Sequence, residues 1–206
     1  MTHKLDWLHQ CDKEYIVLAY GSLLNRASRE QHNDVYADGL GVMVQGWERS
    51  WITRSESEKQ SYVGARPNIS ISLSALALPM MIDEKLVARE KDYRFTEVDF
   101  SCLHFDTSLP QHLRAELSKK KFVICESLLR HEPNHSYPVN QSYIDTCLAG
   151  AIESGGQKFA ERFVETSSGW DSLYIVNDRH APMYPRFASL SKRLHNTIDM
   201  LLQNYR

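Results

Sequence analysis

Ten consecutive residues, Ile69-Ser70-Ile71-Ser72-Leu73-Ser74-Ala75-Leu76-Ala77-Leu78, alternate apolar and small side chains almost without a break. Successive side chains of an extended strand point to opposite faces, so this period of two predicts a strand with one face in a core. Pro79, which cannot donate to a ladder, ends the strand or sets it at an edge. Other segments join it. Gly39 to Trp47 reads as a strand whose glycines permit a bulge, and Ser50 to Arg54 continues it. Glu56 to Gln60 is a polar turn, Tyr62 to Ala65 starts another strand, and Glu97 to Phe105 and Phe122 to Leu129 read as two more.

Helical spacing appears between and after these strands. Ser28-Arg29-Glu30 opens a short helical or irregular segment, Asp83 to Lys91 has Leu86, Val87 and Glu90 at helical spacing, and Gln111 to Lys119 is a further helix. From Ser142 to Glu153 the residues Ile144, Cys147, Leu148 and Ala151 form a stripe that Gly155-Gly156 ends. A second helix runs through Phe159, Phe163 and Val164. Phe187, Leu190, Leu194, Ile198, Leu201, Leu202 and Tyr205 make a C-terminal amphipathic stripe that packs on the body of the protein. Mixed strands with interspersed helices predict an α+β fold around a closed or nearly closed sheet. With 206 residues the chain is long enough for a single domain with a proper core and no staples. The core is expected over residues 12–130, with a mainly helical C-terminal extension over 138–206 packed on it.

Composition narrows the function classes. A formal charge of −2 gives no electrostatic case for nucleic acid or an anionic membrane. Lys119-Lys120-Lys121 is a short basic run of the kind found at a solvated helix end. No segment is long and apolar enough to span a membrane, and Met1 to His9 lacks the apolar core of a signal peptide. Cys11, Cys102, Cys125 and Cys147 are scattered without a Cys-x-x-Cys pair and read as reduced thiols, which points to the cytoplasm. His131 and His135 are four apart, but Pro133 between them argues against a helical metal pair.

The chemistry concentrates at two places. Ile16 to Ala19 reads as a buried strand that breaks at Tyr20-Gly21-Ser22-Leu23, a small-residue turn whose successive N–H groups can cradle a carboxylate. No Gly-x-Ser-x-Gly elbow surrounds Ser22, so it is not read as a nucleophile. Farther on, Arg89-Glu90-Lys91-Asp92-Tyr93 places a Glu-x-x-Tyr after an apolar strand. Together with Gly46-Trp47-Glu48-Arg49-Ser50-Trp51, these landmarks resemble, in order and spacing, the γ-glutamylcyclotransferase superfamily. The resemblance covers roughly residues 15 to 100, about half the chain.

What the resemblance implies is specific. The fold would be a small mixed β-barrel flanked by helices. The reaction would be intramolecular: the α-amine of a γ-glutamyl group attacks its own γ-carbonyl, forming 5-oxoproline and releasing an amine or amino acid. Glu90 would be the general acid/base, with a pKa raised by partial burial. The turn would bind substrate through the N–H groups of Gly21, Ser22 and Leu23 facing the α-carboxylate, after Tyr20, with the Ser22 hydroxyl adding a hydrogen bond. Tyr20 and Tyr93 would belong to the substrate-binding set, with Tyr93 hydrogen-bonding near Glu90 or packing beside it. No cofactor or metal is implied, and the partner is a small γ-glutamyl molecule; the released group stays open among amino acids, the Cys-Gly of glutathione, polyamine-like amines and modified metabolites. ChaC-like specificity finds no further motif here.

Two alternatives stand beside this reading: a non-catalytic binding protein on the same fold, and an interaction module with Trp47, Trp51 and Trp170 as surface anchors. One more segment, Asp178 to Arg186, is rich in functional residue types. It either braces a rigid loop through an Asp–Arg pair or covers the pocket, with Arg179 shaping leaving-group selectivity.

Overall fold

The computed structural model describes residues 14–33, 38–203 and 205. The alternating segment belongs to β3 (Gln60–Pro79), which runs antiparallel to β2 (Leu40–Ser55) as one long ribbon. Four shorter strands were expected over this stretch. The chain bends the two long ones instead of breaking them. The ladder shifts register between Gln45 and Trp47 and again between Ser50 and Thr53, and bulges of this kind increase local bend and twist.

That bend lets one strand serve two neighbours. The C-terminal half of β3 pairs antiparallel with β1 (Tyr15–Ala19), while its N-terminal half meets β6 (Lys121–Ser127) where Ala65 faces Glu126. β1 itself runs parallel to β6. β4 (Tyr93–Val98) borders β6, and β5 (Leu103–Phe105) borders β2. The order β4-β6-β1-β3-β2-β5 describes a sheet curled into a half-barrel. Its end strands, β4 and β5, do not pair with each other, so the expected barrel is open on that side and only the Ala65–Glu126 bridge closes across its middle.

The expected strand over 97–105 is in fact two. Asp99 accepts a hydrogen bond from the Ser101 N–H at 2.8 Å and caps a single 3₁₀ turn, Phe100–Cys102, which carries the chain from one end of the sheet to the other. Helices α1 (Arg26–Asn33), α2 (Glu84–Arg89) and α3 (Gln111–Leu117) lie between strands.

The two helices expected after residue 142 follow one another with a kink between them and are labelled together as α4 (Gln141–Glu165). Gly156 sits at the kink with φ 72° and ψ −168°, a non-helical conformation that a side chain resists, so the glycine pair separates the two helical segments as expected. α5 (Lys192–Leu202) starts at Ser191, whose hydroxyl accepts from the Leu194 N–H, and it buries Ile198 and Leu202. Phe187 and Leu190, the first members of the expected stripe, precede this helix. The same part of the chain adds β8 (Ser167–Ser168) to the main sheet beside β2, and pairs β7 (Val139–Asn140) with β9 (Ile175–Val176).

Apolar side chains of the sheet, α4 and α5 share one core. Trp47, Trp51 and Trp170 are buried in it, which removes them as surface anchors and with them the interaction-module reading. Cys102, Cys125 and Cys147 are free thiols, and Cys11 lies outside the described residues. Among the described residues no helix is long and apolar enough to cross a membrane.

Candidate active site

β1 delivers its last residues into the centre of the half-barrel. The Tyr20 side chain turns inward, where its hydroxyl donates to the Cys125 carbonyl of β6 and accepts from the Ala65 N–H of β3 at 3.1 Å. One phenol thus clips together the two strands that close the middle of the sheet. Gly21 follows at a point of close approach. A Cβ there would stand 3.0 Å from Val63 Cγ2 and 3.1 Å from the Tyr143 hydroxyl, so only glycine passes without displacing either. The 3₁₀ turn Ser22–Leu24 then reverses the chain, with Leu24 N–H donating to the Gly21 carbonyl at 3.0 Å. The first N–H groups of such a turn have no partner inside it, which leaves them for another acceptor such as an anion.

Glu90 arrives from the opposite side. Asp83 caps α2 by accepting from the Leu86 N–H at 2.9 Å, and the helix ends at Arg89. Glu90 is the C-cap: its N–H donates to the Leu86 carbonyl at 2.9 Å, and its carbonyl accepts from the Tyr93 N–H at 3.0 Å. This turn sets Glu90 and Tyr93 on one cavity wall. The cavity is lined by all six residues singled out in the sequence: Tyr20, Gly21, Ser22, Leu23, Glu90 and Tyr93. Tyr93 spends its hydroxyl on the Val63 carbonyl at 2.7 Å, so it presents a ring to the site and anchors β4 to β3.

The electrostatics favour a protonatable carboxyl. Burial pushes the Glu90 pKa above the ordinary carboxylate range, against the pull of Arg89 and Arg186, and the nearby charge of Asp92 adds to the rise. The Glu90 side chain is 12% exposed, enough for a ligand to reach it. Burial first, and Glu90 second, also hold the Cys125 thiol well above its usual range, so this cavity-lining cysteine is kept as a neutral thiol.

Two contributors, Arg89 and Tyr184, were not read from the sequence, and a third, Arg186, was read there as able to form ion pairs or contact a substrate carboxylate. Arg89, beside Glu90, is buried; its Nε lies 3.2 Å from Glu90 Oε1, while Nη2 donates to Ser22 Oγ at 3.1 Å and Nη1 to the Ser28 carbonyl at 3.3 Å. A lone Arg in a charged helix carries no mark of burial, and only its place next to Glu90 was a clue. Tyr184 and Arg186 come from the far end of the chain. Tyr184 donates to Ser22 Oγ at 2.6 Å, and Arg186 lines the outer cleft with Glu58, its partner at 3.2 Å.

The 178–186 segment therefore divides. Asp178 is buried and accepts from the Ser142 N–H at 2.8 Å and the Ser142 hydroxyl at 2.6 Å, fixing the start of α4. Arg179 bridges Asp145 of α4 and Asp199 of α5, with its Nε 2.6 Å from Asp145, and it does not line the cleft. The expected Asp–Arg brace exists, but between these elements and not within the loop. The pocket-facing residues are Tyr184 and Arg186.

Beneath the turn lies Arg49, 0% exposed and, among the described residues, with no carboxylate partner. Its guanidinium donates to the carbonyls of Tyr20 (3.2 Å), Ser74 (2.8 Å) and Phe163 (2.6 Å) and to the hydroxyls of Ser167 (2.6 Å) and Thr166 (2.8 Å). It also lies over the Phe163 ring at 3.8 Å. Burial lowers its pKa to about 9. The arginine of the Gly-Trp-x-Arg-x-Trp landmark is thus the internal tie between β1, β3 and the end of α4.

No protein-family model and no curated protein matches the sequence. Similarity appears at the level of structure. A solved γ-glutamyl cyclotransferase superposes with a TM-score of 0.55 at 13% identity, covering 90% of this chain and 98% of that one. An uncharacterized protein from Homo sapiens gives a TM-score of 0.51 at 14% identity, with 89% and 97% covered. YkqA from Bacillus subtilis gives 0.53 at 15% identity; 80% of this chain aligns, and it spans 57% of that longer protein. The half-barrel that carries Glu90 and the Tyr20–Leu23 turn has the fold of a γ-glutamyl cyclotransferase structure.

Proposed function

We propose that this protein cyclises a γ-glutamyl group to 5-oxoproline and releases the attached amine or amino acid. The observation that carries the reading is a buried carboxyl of raised pKa, Glu90, in one cavity with the tight turn Gly21 to Leu23. In this reading the α-carboxylate rests on the N–H groups of the turn. The substrate then folds so that its α-amine faces its own γ-carbon, and intramolecular attack of this kind gains an effective molarity on the order of 10⁵–10⁸ M. The N–C bond forms, Glu90 takes the proton lost by the amine, and the same proton goes to the leaving nitrogen as its bond to the γ-carbon breaks. One residue serves as base and then as acid. Charge and atoms balance within substrate and Glu90, so the reaction requires no cofactor, and cytoplasmic free thiols such as Cys125 are compatible with it. In this reading residues 12–130 form a core that holds the chemistry, and residues 138–206 pack on it and cover its mouth.

Release of 5-oxoproline, measured by mass spectrometry on γ-glutamyl amino acids, γ-glutamyl amines and glutathione, tests the reading. Product from at least one class is the expected result. Ligand binding without product from any class would turn the reading to a binding protein on this fold.

The leaving group would occupy the outer cleft beside Glu58 and Arg186. Arg186→Ala is accordingly expected to shift relative kcat/KM between two leaving groups by about tenfold, equivalent to about 1.4 kcal/mol. Arg179→Ala is expected to leave that ratio unchanged. It strips the buried Asp145 of its cation and should cost roughly 3 kcal/mol of stability. A selectivity change in Arg179→Ala with unaltered melting would reverse this division of labour.

A further inference from the structure

Ser22 Oγ stands where two arginine-terminated hydrogen bonds meet. From one side, Arg89 Nη2 donates to it at 3.1 Å. From the other, Arg186 Nε donates to the Tyr184 oxygen at 3.2 Å, and the Tyr184 hydroxyl donates onward to Ser22 Oγ at 2.6 Å. A guanidinium has donors and no acceptor, so it can stand only at the donating end of such a chain. The arginines take one acceptor site on Tyr184 and one on Ser22, and the Tyr184 hydroxyl donates to the other acceptor site of Ser22. With Tyr184 sending its proton to Ser22, both lone pairs of the serine oxygen are filled. A hydroxyl with both lone pairs occupied has one tetrahedral direction left, and its own proton takes it. Ser22 is held as a donor, charge-assisted from both sides.

The position of that donor follows from the same guanidinium. Arg89 holds Ser22 Oγ by Nη2 and Glu90 Oε1 by Nε at 3.2 Å, so the serine donor and the acid/base lie within the span of one side chain. Both line the cavity. A group this close to the residue that protonates the leaving nitrogen faces the scissile amide, whereas the turn's N–H groups are left for the α-carboxylate.

We propose that Tyr184 is a positioning residue that commits the Ser22 hydroxyl to donate to the γ-carbonyl oxygen, where negative charge develops as the amine attacks. The inference rests on the cyclisation reading. Tyr184 is 1% exposed, makes edge contacts with Tyr62 and Tyr143, and gives its hydroxyl proton to Ser22, so its hydroxyl acts through Ser22. Arg186 supplies the far end of the chain, which links the outer cleft to the reacting carbonyl.

The test is a double-mutant cycle in kcat and KM on the best substrate of the panel, with Ser22→Ala, Tyr184→Phe and the double variant. Tyr184→Phe keeps the ring in its aromatic cluster and removes only the hydroxyl. Ser22→Ala is expected to lower kcat by about 10²-fold, the effect of deleting one donor to a developing oxyanion. Tyr184→Phe is expected to lower it about tenfold with KM within about twofold, since the donor survives and only its direction is lost. In the Ser22→Ala background Tyr184→Phe should then cost nothing more, because its route of action is gone. Multiplicative effects in the double variant would overturn the proposal, as would a change confined to KM, which would place the serine on the α-carboxylate.

The same four proteins are titrated calorimetrically with 5-oxoproline, whose ring carbonyl is the former γ-carbonyl. If wild type releases no product, the cyclisation reading fails on its own, and this cycle decides the inference. Coupled loss of affinity in Ser22→Ala and Tyr184→Phe would support it. Independent losses, or no binding by wild type, would overturn it.

Discussion

Glu90→Gln is expected to lower 5-oxoproline release by about 10²–10⁴-fold, the usual contribution of a positioned proton carrier. Gln keeps the size of the side chain and can still face Arg89 across the site, so the fold should survive and the loss should be chemical. The pH profile of the wild type provides a second check. The base form is needed for attack, and burial raises the Glu90 pKa, so the rising limb of kcat against pH should lie above the ordinary carboxylate value of about 4.3.

Stability should move the opposite way. A carboxyl whose folded pKa is raised binds its proton more tightly in the native state. Its contribution is fully present below the unfolded pKa and is lost as pH rises through the folded value. Thermal unfolding of wild type should therefore lose that contribution above about pH 4.3, while Glu90→Gln, which has no proton to release, should lack that part of the slope. Equal turnover by the two proteins, or a rising limb that persists unchanged in the variant, would remove Glu90 from its role.

Arg49→Met is expected to be the most destabilising substitution outside the cavity. Methionine matches the stem and relieves the burial of a charge, which favours the variant. Against this, the Tyr20 and Ser74 carbonyls lose their guanidinium donor in a buried interior, and the Ser167 and Thr166 hydroxyls lose a partner as well. An orphaned buried acceptor costs about 1–3 kcal/mol. Several at once exceed the relief, for a net loss of roughly 4 kcal/mol, out of a total stability of about 5–15 kcal/mol. At about 2–4 °C per kcal/mol for a chain of this size, the melting temperature should fall by roughly 8–16 °C. Arg49→Lys should recover little, since one ammonium cannot reach acceptors spread around a planar fork. Melting within about 2 °C of wild type for Arg49→Met would mean that the strands and α4 hold together without this tie.

The parts of the site that were legible from residues are those made by local sequence. An apolar strand running into Gly21-Ser22 announces a turn through backbone chemistry alone, and Asp83 followed by Leu86 and Val87 announces a short helix ahead of Glu90. Gly155-Gly156 likewise marks the break between two helical segments, which Gly156 makes through a non-helical conformation. What sequence hides is a charge turned inward. Arg49 and Arg89 read as surface residues, because burial of a guanidinium depends on carbonyls and hydroxyls supplied by distant segments. Tyr184 was hidden for the same reason, and within the 178–186 segment the selectivity role fell on Arg179 and not on Arg186, because Arg179's partners Asp145 and Asp199 are equally remote in the chain. The 97–105 strand failed on a smaller scale. Its apolar pattern continues through Asp99, and only the cap that Asp99 makes shows the chain turning there.

The half-barrel also orders events in time. The β2–β3 ribbon joins segments separated by one short turn, so it can assemble early and cheaply. The clip from Tyr20 to the Cys125 carbonyl spans 105 residues, and the bond from Tyr184 to Ser22 spans 162. Contacts of such separation are closed late, after the intervening chain has been ordered. A polypeptide leaving the ribosome therefore holds Glu90 and the Gly21 turn long before it can aim the Ser22 hydroxyl. Competence arrives with residue 184, so a chain interrupted before that point would carry the recognisable landmarks of the site without its finished geometry.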